Sequence, residues 1–183
     1  MPTRRLCLLT ASLALPWATS ARASTSPLPA EIRGELGNVR LQGNGQMRFL
    51  GLAVYDIRLW AASPLVPDQV SGRALALEIE YARALQGEQI AERSLAEMKR
   101  GARIDAATAE RWLSTMKRLF PDVGKGDRLT GVQQPDGTAR FFVNGRLTGE
   151  VRDPAFTTLF FGIWLGRHSS EPDLRDQLLG RAG

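Results

Sequence analysis

The chain has 183 residues, with 24 Lys+Arg against 19 Asp+Glu, one histidine and one cysteine. The cysteine, Cys7, falls in an N-terminal leader, so the rest of the chain has no thiol, which excludes disulfides, thiolate catalysis and cysteine-ligated metals; His168 alone is too little for a histidine-based metal site. Three arginines and no acid lie in residues 1–23, leaving 21 basic against 19 acidic residues and no basic run, so a nucleic-acid partner is not expected.

The leader reads as a signal peptide over residues 1–23. Arg4 and Arg5 form a positive start, Leu6 to Trp17 an apolar stretch too short to span a bilayer, and Ala21-Arg22-Ala23 a cleavage site. The expectation is export to the periplasm or beyond, with Ser24 as the new terminus. Thr3 to Leu8 partly resembles a twin-arginine signal, but Cys7 fits poorly where an aromatic is expected, so an ordinary secretory signal carrying two arginines is the favoured reading and twin-arginine export the alternative. Residues 24–32 (STSPLPAEI) read as a mobile lead-in, and residues 33–183 as one domain. No later segment reaches transmembrane length, so no stable membrane insertion is expected.

Within the domain, Val39–Leu41 reads as a short strand and Gly43-Asn44-Gly45 as a turn. Gln46–Trp60 then reads as one long strand, apolar on both faces and so covered on both sides over Phe49–Tyr55. Arg73–Tyr81 alternates, with Leu75, Leu77 and Ile79 inward and Glu78 and Glu80 toward solvent. Helical spacing follows over Gly87–Lys99, through Ile90, Ala91, Leu95 and Met98. A second helix is capped by Asp105, carries Trp112, Leu113, Met116, Leu119 and Phe120, and stops at Pro121. Three strands come next, Arg128–Gln134, Thr138–Val143 and Arg146–Val151, joined by turns at Pro135-Asp136-Gly137 and Asn144-Gly145. Asp153 and Pro154 open a helix whose apolar residues, Phe156 through Leu165, surround it, so it is buried; Gly166 ends it. Gly162 and Gly166 lie on one face, where a neighbouring backbone could come close. Ser170 and Asp173 resemble a capping box for a last short helix with Leu174 and Leu178. The pattern predicts an α+β fold: a large, mostly antiparallel sheet covered on one face by a layer of helices.

Two stretches carry a family resemblance. The FGIWLG run followed by PDLRDQLLG resembles the C-terminal signature of the bacterial chalcone-isomerase-like family. GNGQMRFLGLAVYDIRLW, residues 43–60, resembles that family's glycine–x–glycine–x–x–arginine segment. With the order of elements between them, the resemblance covers about residues 33–180. It implies the open-faced chalcone isomerase sandwich, with a ligand cleft between sheet and helices; no P-loop or Rossmann glycine pattern is present, and no cofactor is expected.

Arg48 enters an apolar strand, where a buried guanidinium would need an anion or a hydrogen-bond partner; on the residues alone, a strand-end arginine reaching solvent or pairing with a core acid is the favoured reading. The resemblance aligns Arg48 with the cleft arginine shared by chalcone isomerases and their fatty-acid-binding relatives. It aligns Tyr55 with a threonine that positions a water in the enzymes. Arg48 and Tyr55 are seven apart and face opposite ways unless a bulge intervenes, for which Gly51 is the expected place. The family's helix tyrosine and asparagine align with Ile90 and Glu97, and its serine or threonine with Thr157 or Thr158; these threonines have helix carbonyls as alternative partners. Ile90 has no hydroxyl and Glu97 would oppose a phenolate, which argues against chalcone cyclisation. His168, past Gly166, reads as a solvated or capping residue.

The expected function is therefore an exported, non-catalytic module binding a small apolar or amphipathic carboxylate, such as a fatty acid. Arg48 would take the head group, Tyr55, Thr157 and Thr158 would assist, and Leu50, Leu52, Ile90, Leu95, Phe156 and Phe160 would form the walls. The alternatives are an intramolecular lyase or isomerase on another phenolic or enone substrate, with Arg48 as electrophilic stabiliser, and a structural domain with a filled cleft.

Overall fold

The computed structural model of the chain describes residues 27–66 and 69–181. The expected signal peptide lies outside the described residues. Six strands form a single sheet: β1 (Arg40–Phe49), β2 (Leu52–Ala61), β3 (Leu75–Tyr81), β4 (Arg128–Gln133), β5 (Ala139–Val143) and β6 (Arg146–Val151). They lie side by side in chain order, each antiparallel to the next. Among the described residues, five helices accompany the sheet: α1 (Ala30–Leu36), α2 (Gly87–Gly101), α3 (Ala106–Leu119), α4 (Pro154–Leu165) and α5 (Pro172–Leu178). This is the α+β open-faced sheet that the pattern predicts.

Strand alternation sorts the side chains into two cores. Ile57, Leu59, Leu75, Leu77, Ile79, Leu129 and Phe141 point to one face and pack under α2 to α5. α4 lies deepest there. Asp153 caps it by accepting from the Ala155 and Phe156 amides at 3.1 and 3.3 Å, and its second oxygen accepts from Trp112 Nε1 at 2.9 Å. Phe156 and Phe160 stack 5.6 Å apart along α4 and meet Trp112, Phe120 and Phe141 edge-on or tilted. Trp60, Ala76, Val132 and Phe142 point to the other face and form a smaller core.

Part of that second face is covered by α1, whose first three residues fall within the stretch 24–32 expected to be a mobile lead-in. Ile32 is fully buried against Trp60 and its neighbours, and two ion pairs pin the helix: Glu31 with Arg128 at 3.0 Å and Glu35 with Arg140 at 2.7 Å. A seven-residue helix without a side-chain cap has almost no intrinsic stability, so these tertiary contacts, invisible in a Ser/Pro-rich stretch, decide its structure. The same helix changes the environment of Glu78. The expectation of a solvated strand face fails: Glu78 is buried, accepts from Trp60 Nε1 at 3.0 Å, and lies 3.4 and 3.6 Å from Arg58 and Arg128. Burial raises its pKa, against the lowering effect of Trp60 and the two arginines.

The largest correction is at residues 39–60. Gly43-Asn44-Gly45 is not a turn but the middle of β1, and the turn is at Leu50-Gly51, inside the stretch expected to be one covered strand. Phe49, Leu50 and Leu52 are exposed there. A continuous apolar run reads as a buried strand, and Leu-Gly carries less turn signal than Gly-Asn-Gly. The glycines of β1 serve packing instead. A Cβ on Gly43 would press on the carbonyls of Gln177 and Leu178, 2.7 Å from the Leu178 carbonyl carbon, and one on Gly45 would strike Leu174 and Gln177. α5 can therefore lie directly on the β1 backbone. α5 itself opens at Pro172 behind Glu171 with no side-chain cap, so the expected Ser170 capping box does not form.

Candidate ligand-binding site

A cavity of about 470 Å³ opens between the helical layer and one end of the sheet. Met47 and Phe49 of β1, Val54 and Tyr55 of β2, Ile79 and Tyr81 of β3 and Leu129 of β4 form its sheet side. Ile90 of α2, Phe120 after α3, and Phe160, Ile163 and Trp164 of α4 form its helix side. Polar side chains gather at the edges: Arg83 in the loop after β3, Gln89, Arg93, Ser94 and Glu97 on α2, and Ser169, Ser170 and Glu171 between α4 and α5.

A bulge shapes the sheet side. Met47 pairs with Tyr55 but Arg48 pairs with Ala53, which leaves Val54 as the extra residue. Val54 and Tyr55 consequently both face the cavity. The bulge expected at Gly51 exists three residues later. It does not bring Arg48 in, because the chain has already turned back at Leu50-Gly51. Arg48 is exposed, donates to Gln46 Oε1 at 2.6 Å and to the Gly51 carbonyl at 2.8 Å, and is not in the cavity wall.

Of the other expected site residues, Tyr55, Ile90 and Phe160 line the cavity. Leu95 and Phe156 are buried in the main core and do not line it. Leu50 and Leu52 stand on the exposed turn. Thr157 is buried, and its hydroxyl donates to the Gly137 carbonyl at 2.6 Å, a tertiary anchor in place of a helix carbonyl; Thr158 is exposed with its hydroxyl 3.2 Å from that of Ser71. Neither threonine faces the ligand space.

The chain's two tyrosines both line the cavity. Their rings meet edge to face, 6.1 Å apart. The Tyr55 hydroxyl accepts from Trp164 Nε1 at 3.0 Å. Burial pushes its pKa up to about 12, against the lowering influence of that hydrogen bond. Burial, with a smaller contribution from Tyr55, pushes Tyr81 up as well, and no hydrogen bond offsets it. Both phenols therefore stay neutral near pH 7 and are available as donors, not as bases.

Charge at the rim is unevenly paired. Glu97 is buried between two arginines, 2.6 Å from Arg93 and 3.4 Å from Arg100. Arg83 is exposed at the mouth and makes no ion pair or side-chain hydrogen bond among the described residues. Sequence reasoning missed it, because a lone loop arginine is one of 24 basic residues and only the fold brings it to the cavity. The closest available signal was its place between a strand end and a helix start.

His168 is not solvated. Its ring fills a niche between α2 and α4, where a Cβ on Gly101, Gly162 or Gly166 would come within 2.6, 3.0 or 2.5 Å of its Cε1. Gly162 and Gly166 thus admit a side chain where a backbone was expected. Burial, then the charge of Arg100, lower its pKa, with Glu97 opposing, so the imidazole is neutral near pH 7. Arg100 Nε donates to the His168 carbonyl at 3.2 Å, and together these contacts set the loop that carries Ser169 to Glu171 to the cavity edge.

A family model described as chalcone isomerase-like matches residues 22–180. Among solved structures, the crystal structure of a fatty-acid binding protein from Arabidopsis thaliana is similar, with a TM-score of 0.62 and 13% sequence identity. The likeness covers 77% of this chain and 86% of that one. At that identity it speaks for the fold alone. No curated protein matches the sequence.

Proposed function

The chain belongs to the chalcone isomerase-like family, and from that premise we propose that it is an exported binding module that holds a small amphipathic carboxylate of the fatty-acid type. The observation that carries this reading is the cavity itself: about 470 Å³, apolar on both walls, with one unpaired arginine, Arg83, at its mouth. That volume suits a small-molecule ligand. An apolar tail lies between Met47, Ile79, Phe120, Phe160 and Ile163, and the carboxylate reaches the Arg83 fork, with Gln89 on the same rim. Tyr81 contributes a neutral donor. Arg83 replaces Arg48 as the head-group residue, since Arg48 is bound to its own turn.

A non-catalytic role is supported by the same wall. The isomerase reading needs Arg48 in the cleft as electrophilic stabiliser, and it lies outside. Ile90 stands in the wall without a hydroxyl, and Glu97 is held by two arginines.

The test is displacement of a fluorescent fatty acid by palmitate and by methyl palmitate. Arg83→Ala should weaken palmitate about tenfold, the low end for a charge-assisted contact because the site is exposed. Arg48→Ala should leave it unchanged, and the ester should be indifferent to both. Equal binding of acid and ester to the wild type, or no binding of either, overturns the proposal.

A further inference from the structure

The chain builds the same two-residue turn twice. Between β5 and β6 it uses Asn144 and Gly145 at φ 50° and 81°; between β1 and β2 it uses Leu50 and Gly51 at φ 49° and 80°. Positive φ at both central residues suits Asn-Gly, and asparagine enters that region far more readily than leucine. Leu50 is also 87% exposed, and Phe49 and Leu52 beside it are 61% and 63% exposed. An unfavourable backbone and three uncovered large apolar side chains thus coincide at one tip. Leu50 and Leu52 make no part of either core or of the cavity wall.

The tip adjoins the cavity. Phe49 belongs to the cavity wall, and the Ala82 amide donates to the Val54 carbonyl at 2.9 Å, which sets Arg83 at the foot of the hairpin. Residues 45–54 carry one charge, Arg48, and no acid. An apolar wedge with arginines at its base fits an anionic lipid surface, where apolar insertion and basic residues together give the two signals that reversible membrane binding needs. A second copy of this chain is a poor occupant, since specific protein interfaces take about 20–30 residues a side.

We propose that Phe49, Leu50 and Leu52 form a wedge that enters the headgroup–acyl boundary of an anionic bilayer and brings the cavity mouth to the lipid. The inference rests on the fatty-acid reading of that cavity for its purpose, but not for its test. Vesicle binding is measured without added fatty acid, and fatty-acid displacement without vesicles, so either can fail alone.

The experiment is co-sedimentation with phosphatidylcholine vesicles containing one quarter phosphatidylglycerol, comparing wild type and variants in the same full chain. Any contribution of residues 1–23 is then common to all. Leu50→Asn should lower partitioning roughly tenfold, and the double variant with Leu52→Ser roughly a hundredfold. Arg48→Gln and Arg83→Gln should each lower it about fivefold on these vesicles and little on pure phosphatidylcholine. Thermal unfolding separates docking from folding: Leu50→Asn relieves the backbone and should melt no lower than wild type. Unchanged vesicle binding by the double variant overturns the proposal. So does a variant whose oligomeric state changes on a sizing column while its vesicle binding does not.

Discussion

Raising the pH on the native protein should leave both tyrosines protonated well past the point where an exposed phenol ionises. The chain has only Tyr55 and Tyr81, and both line the cavity. An ordinary tyrosine, with a pKa of about 10, is roughly 90% ionised at pH 11. With its pKa near 12, Tyr55 is about 10% ionised there, and Tyr81, more strongly shifted by burial, contributes less. The tyrosinate absorbance at 295 nm of the folded protein at pH 11 should therefore be about a twentieth of that of the urea-unfolded chain. Linkage gives the sign for stability. A pKa raised in the folded state means that the folded chain holds protons which the unfolded chain has released. The stabilisation from neutral tyrosines is complete below pH 10 and is lost as pH rises toward 12 and beyond. Stopped-flow pH jumps read the native state before alkaline unfolding sets in. A fast absorbance step at pH 10 worth one tyrosine or more would refute the burial on which the cavity wall, and the role of its phenols as neutral donors, depends.

Gly43→Ala should destabilise the fold by about 3 kcal/mol, the upper end for overpacking, because the atoms it meets are α5 carbonyls that cannot rotate aside. Gly34→Ala in α1, whose Cβ meets nothing, should instead stabilise by about 0.5–1 kcal/mol; urea unfolding of the two variants measures both. N-terminal sequencing of protein recovered from an exporting cell should begin at Ser24, and an intact Met1 on that material would defeat the export proposal.

The elements whose order and periodicity are local were legible in the sequence. Asp105 and Asp153 cap the helices expected of them, and Asn144-Gly145 makes the expected turn. What was not legible depended on a distant partner. The glycines of β1 read as a turn because the helix that needs them lies some 130 residues later. Glu78 read as solvated because its cover, α1, is held by ion pairs to β4 and β5. Arg48 was drawn toward the cleft by its family alignment, and the apolar run after it hid the turn; once the hairpin is placed at Leu50 the arginine belongs to the turn and reaches solvent, as its residues alone suggest. Of the residues that line the cavity, Tyr55 and Ile90 were named from family positions and Phe160 as an expected wall residue. Arg83 and Tyr81 needed the sheet to show which strand ends share a mouth.

The seating of α5 on β1 also sets an order of events. Gln42 donates to the carbonyls of Leu65 and Leu179, and Gly43 and Gly45 lie beneath the last turns of α5. A Gly-Asn-Gly segment has little intrinsic preference for extended structure, so the middle of β1 gains its cover only when a helix 137 residues distant docks. Closing a loop of that length is slow compared with forming the β4–β5–β6 meander. The hairpin that carries the apolar tip is thus among the last parts to be secured. Until then the face of β1 that α5 covers stays open beside the apolar tip at Leu50, which the finished fold also leaves exposed, so the growing chain presents its most extensive uncovered surface just before α5 docks.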